Sequence, residues 1–124
     1  MFYGKGENIR ERSLNFVVDI IKLTSDLPKT SAGFEIAKQI VRSGGSIGAN
    51  LSEANCSRTE KEFVSSVNIA LKEAEETLWW LNVLFKSELI DVRNFEHLSN
   101  ENREIIKILV TIIKNTKYKA NCEL

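Results

Sequence analysis

Proline occurs once, at Pro28, and glycine only six times in 124 residues. A chain so seldom interrupted is not built from many short strands and turns; long segments without breakers favour helix. The alternation of apolar and polar residues that marks a half-buried strand is absent at useful length. Cysteine is scarce as well. Cys56 and Cys122 stand far apart, in neither a metal nor a redox spacing, so two reduced thiols in an intracellular protein are expected. His97 is the one histidine. That excludes a di-iron bundle, which takes a Glu-x-x-His motif from each of two helices. A Ser-His-Asp arrangement would rest on the same histidine with no nucleophile elbow beside it. His97 is expected as an exposed residue of the last helix, and the chain is read as no enzyme, with no catalytic residue, no metal and no cofactor.

Neither sign of charge is in excess, with 17 Lys plus Arg against 17 Asp plus Glu. The summed field therefore gives no general attraction to nucleic acid, anionic membrane or acidic substrates. No apolar run approaches the roughly 18 residues of a membrane span, and the N-terminal MFYGKGENIRERS lacks the apolar core of a signal peptide. The expectation is a cytoplasmic protein without a membrane partner. The length suits one domain over residues 1–124, large enough for a core of its own, with flexible ends at about 1–7 and 119–124.

What is present is helical periodicity. A first helix is predicted from about Asn8, as N-cap, to Asp26, with Ile9, Phe16, Val17, Ile20, Leu23 and Leu27 recurring at three and four residues before Pro28. A second begins after Thr30 and Ser31 and carries Phe34, Ile36, Ile40, Ile47, Leu51 and Ala54 to a stop near Asn55. Ser57-Arg58-Thr59-Glu60 has the form of a capping box and predicts the start of a third helix. Phe63, Val67, Ala70, Leu71, Ala74, Leu78, Leu81 and Phe85 extend it to a turn at Lys86 to Ile90. Asp91 can cap a fourth, in which Phe95, Leu98, Asn102, Ile105, Leu109, Ile112 and Thr116 repeat. Four helices with short loops predict an all-α fold, an antiparallel up-down-up-down four-helix bundle.

Three of the six glycines crowd into QIVRSGGSIGANLSEA, residues 39–54, although each costs a helix about 1 kcal/mol relative to alanine. GGSIGAN has neither the spacing nor the Lys-Ser/Thr of a phosphate-binding loop and follows no strand. Gly44 and Gly48 lie one turn apart, as do Ala70 and Ala74 on the third helix, so the expectation is that these small faces meet and bring helices two and three together most closely.

Other helices carry more apolar surface than a lone bundle needs. Beside the main stripes stand Leu14, Val18 and Ile21 on the first, Ile69, Trp79, Trp80 and Val83 on the third, and Ile106, Val110 and Ile113 on the fourth. Adjacent helical positions point about 100° apart, so one tryptophan can enter the core while the other stays near the surface. Surplus apolar surface of this kind marks an interface, and Ile69, Trp79, Trp80 and Val83 are the candidates for self-association. A polar stripe of Arg42, Ser46, Asn50 and Glu53 on the second helix can face Lys72, Glu73, Glu75 and Glu76 on the third, linking two helices or two subunits. Equally, it can be a solvated face with weak ion pairs. Lys107, Lys114, Lys117 and Lys119 would form a basic rim if several subunits converged, the alternative in which the protein binds RNA or DNA.

KQIVRSGGSIGANLSEANCSRTEKEF followed by NIALKEAEETLWWLNVL resembles the signature of the 23S rRNA intervening-sequence (S23-like) proteins, from Leu14 to about Lys117. The resemblance implies a bundle of antiparallel helices, a homopentamer and no enzymatic activity. It places Arg42, Ser43, Ser46, Asn50, Glu53, Lys72, Glu73 and Glu76 at signature polar positions without an agreed role. A related accessory protein of diversity-generating retroelements looks like a basic pentamer that engages nucleic acid and a reverse transcriptase, and the zero net charge here departs from it. The resulting expectation is a non-enzymatic, self-assembling scaffold or adaptor presenting a composite surface to a protein or ribonucleoprotein partner.

Overall fold

The computed structural model describes the backbone of residues 5–123 and the side chains of residues 8–116. Four helices follow one another: α1 Lys5–Thr24, α2 Ser31–Asn55, α3 Glu60–Lys86 and α4 Val92–Glu123. Each consecutive pair packs, α4 returns against α1, and the backbones of the diagonal pairs stay further apart. The result is the antiparallel four-helix bundle that the periodicity predicts. Its centre is filled by Phe16 and Ile20 of α1, Ile40 and Ile47 of α2, Val67 and Leu81 of α3, and Ile105 and Leu109 of α4, all 1% exposed or less. Burying a side chain of this size contributes about 1.5–3 kcal/mol, so the stripes that define the helices also hold them together.

The helix ends depart from the sequence reading in instructive ways. α1 begins at Lys5, which puts Asn8 inside the helix rather than at its cap, and it ends at Thr24. The chain then turns through Ser25 to Leu27 with backbone bonds to Lys22, Leu23 and Thr24. Thr30 caps α2 by accepting from the Gly33 N–H at 3.1 Å. The capping box of α3 sits two residues later than predicted. Thr59 is the N-cap, its Oγ1 accepting from Glu62 N–H at 3.1 Å, while the Glu62 carboxylate accepts from Arg58 N–H at 2.9 Å. Asp91 caps α4 as expected, accepting from Asn94 N–H at 2.8 Å. At the end of α3, Glu88 takes a left-handed φ of 61°. Its N–H bonds Phe85 O and that of Leu89 bonds Leu84 O, the paired closure that usually employs glycine.

The glycines of α2 do not face α3. A Cβ built on Gly44 would meet Ile20 and Val17, one on Gly45 would meet Val17, and one on Gly48 would meet Ser13. All three neighbours belong to α1, so the small face of α2 receives the side chains of α1. Ala70 and Ala74 are fully buried without opposing the glycines. Ala74 instead lies where α4 approaches. The buried Asn102 carboxamide, oriented with Nδ2 toward α3, donates to Ala74 O at 3.1 Å and accepts from Leu78 N–H at 3.0 Å.

Candidate functional site

The densest polar contacts between helices join α2 to α3. Arg42 projects from α2 and forks across one turn of α3: Nη1 donates to Glu73 Oε2 at 2.9 Å, and Nη2 donates to Glu76 Oε2. The three-residue spacing of the two glutamates puts both on the side of α3 nearest α2, so one guanidinium can engage both. Trp80, one turn further along, donates its indole N–H to the same Glu76 oxygen at 3.2 Å. Burial pulls the Glu76 carboxyl upward, but the bonds from Arg42 and Trp80 outweigh it and hold the group below its ordinary value. The Glu76 bond in turn raises Arg42 against its own partial desolvation. The Arg42 side chain stays about half exposed (48%). In that setting the pairs set orientation more than they add stability.

Beneath this cluster Ser43 and Thr77 are buried together, their hydroxyls 2.8 Å apart. Thr77 Oγ1 also lies 2.8 Å from the Glu73 carbonyl. With one proton each, Ser43 donating to Thr77 and Thr77 to that carbonyl satisfies both groups. Thr77 escapes the sequence reading, although a polar residue three after Ala74 and four before Leu81, in a stripe of otherwise apolar residues, is the signal for it.

The remainder of the polar stripe does less. Ser46 Oγ donates to Arg42 O and Asn50 Nδ2 to Ser46 O, both at 2.8 Å, so these side chains serve the carbonyls of their own helix. The Glu53 and Lys72 side chains are exposed and enter no ion pair among the described residues. A second tie, also missed in the sequence, joins α1 to α4, where Arg12 donates from Nε and Nη2 to the two oxygens of Glu101 at 3.0 and 2.7 Å. No single residue pattern announces that pair.

The apolar candidates divide. Trp79 is 63% exposed and Ile69 46%, whereas Trp80 packs on the core from a half-buried position and Val83 is half-buried too. Leu14, Val18 and Ile21 are exposed on α1; Ile113, expected among the surplus, belongs to the core. Between α1 and α2 runs a groove of about 670 Å³, walled by Leu14 and Val17, floored by Gly45, Gly48 and Ala49, with Arg10 and Glu11 along it. On α4, Lys107 and Lys114 are exposed, Lys107 standing 3.5 Å from Glu104; the side chains of Lys117 and Lys119 lie outside the described residues. His97 is exposed, its Nε2 3.7 Å from Asp19 Oδ2. Among the described residues no three His, Cys, Asp or Glu side chains gather as a metal site, and no helix is long and apolar enough to cross a membrane.

The profile of a family described as 23S rRNA-intervening sequence protein matches residues 6–111. Among solved structures the chain is similar to a protein of unknown function from the S23 ribosomal protein family of Bacteroides thetaiotaomicron VPI-5482. The two are 42% identical and superpose with a TM-score of 0.83 over 89% of this chain and 98% of that one. No curated protein matches.

Proposed function

Because the chain belongs to the 23S rRNA-intervening sequence protein family, and the function of its solved relative is unknown, we propose from its own surface that it is a non-enzymatic scaffold. Copies of the chain assemble and present a composite surface to a protein or ribonucleoprotein partner. One observation carries this reading: the bundle has a complete core and still leaves Trp79, Leu14, Ile21 and Ile69 between 46% and 63% exposed. Large apolar side chains left on the outside of a finished fold, here on α1 and α3, are characteristic of surfaces that become covered. The resemblance in the α2–α3 signature implies a pentamer as the closed form, and the Arg42–Glu73–Glu76 face is what such a ring would display. Light scattering on the full chain tests the proposal. Several copies per particle at micromolar concentration are expected, and a single copy at every concentration would overturn it.

A further inference from the structure

Resting on that assembly, we infer that its contact is head to tail: the α1–α2 groove of one copy seats the Trp79 face of α3 from the next. The two surfaces lie on different sides of the bundle, since α1 and α3 are a diagonal pair and not neighbours. A contact between unlike surfaces repeats from copy to copy and closes into a ring when the rotation permits. The shapes correspond. On one side is a projecting indole, exposed over most of its surface. On the other is a groove of about 670 Å³ whose floor of Gly45, Gly48 and Ala49 offers no side chain beyond a methyl group.

Charge selects a second copy as the occupant. Arg10 lines the groove one turn before Leu14, and Glu75 precedes Trp79 by the same four residues on α3. Neither enters an ion pair among the described residues. With the two helices parallel and Trp79 set against Leu14 and Val17, the shared spacing brings Glu75 beside Arg10. A groove and a knob with matched spacing and opposite charge on one neutral chain fit each other better than they fit an arbitrary partner.

Sedimentation across a dilution series tests the contact with Trp79→Ala, Arg10→Glu, Glu75→Arg and the Arg10→Glu/Glu75→Arg double variant, with helicity checked by circular dichroism. Each single change is expected to raise the concentration of half-dissociation by roughly tenfold or more, and the double variant to return to within a few-fold of the parent. An independent readout uses chains with Cys56 and Cys122 replaced by serine. A Leu14→Cys chain mixed with a Trp79→Cys chain should cross-link, and neither should alone. Assembly that ignores the single changes, a double variant as weak as the worse single, or cross-linking within the unmixed chains would overturn the head-to-tail contact while leaving the scaffold reading intact. A parent that never assembles removes both.

Discussion

At the scale of single residues Gly33 and Gly48 separate, the first required by the fold and the second merely tolerated. Gly33 sits in the first turn of α2, where a Cβ would stand 2.0 Å from the carbonyl oxygen of Pro28, a backbone atom that cannot swing aside. Gly48 would place its Cβ 3.6 Å from the Ser13 side chain, an ordinary contact. Gly33→Ala is therefore expected to destabilise by about 1–3 kcal/mol, while Gly48→Ala gains about 0.5–1 kcal/mol from helix propensity. Urea denaturation of the two variants decides, and equal losses would mean that α1 and α2 sit closer than described. Glu76 gives a second residue-scale prediction. Its carboxyl is held below the ordinary value of 4.5 in the fold. Its contribution is thus fully present above that value and is lost as pH falls through the lowered folded value. The stability difference between the parent and Glu76→Gln should be about 0.5–1 kcal/mol at neutral pH and shrink toward zero as pH falls through the lowered folded value. A gap that persisted unchanged in acid would show that the carboxylate charge is not what Arg42 and Trp80 recognise.

At the scale of elements, the caps show how far local chemistry can be trusted. The Ser57 hydroxyl makes only a 3.4 Å contact to Glu53 O, whereas Thr59 accepts the Glu62 N–H at 3.1 Å. Thr59→Ala should cost about 1 kcal/mol and Ser57→Ala close to nothing. Thermal melts of both variants check this, and the reverse order would move the start of α3 back to Ser57. Two overlapping cap patterns, Ser57 with Glu60 and Thr59 with Glu62, are equally legible in the sequence. Only the packing of Phe63 and Val67 into the core fixes where the turn begins. The helices and their inward faces were legible because burial imposes a period near 3.6. What a face meets was not, because periodicity gives an angle around one helix and no identity for its neighbour. Hence spacing alone pairs Gly44 and Gly48 with the alanines of α3, whereas in the fold they receive Ile20 and Ser13 of α1. The polar stripe was half legible for a related reason. Arg42, Glu73 and Glu76 announce themselves as opposite charges at helical spacing, while Thr77 and Asn102 are apolar-stripe positions by phase, and their roles emerge only from the groups that face them.

At the scale of the molecule, balanced charge sets what the surface of the proposed assembly can recognise. Lys and Arg equal Asp and Glu in number, and the cations best placed to make a basic rim are not all free. Lys107 of that rim has Glu104 3.5 Å away, and elsewhere on the surface Arg42 and Arg12 are committed to carboxylates. A ring of such protomers multiplies both signs alike, so it gains no net attraction for a polyanion however many copies join. Binding to nucleic acid through phosphates would release counterions and would weaken steeply as salt is added. Filter binding of a labelled single-stranded RNA should accordingly show no retention by the protein at low ionic strength, the condition that favours it most. Retention that fell steeply with added salt, and that was lost on replacing Lys107 and Lys114 by glutamine, would instead establish α4 as a phosphate-binding rim. The partner would then be sought among RNAs rather than among proteins that dock on the Arg42–Glu73–Glu76 face.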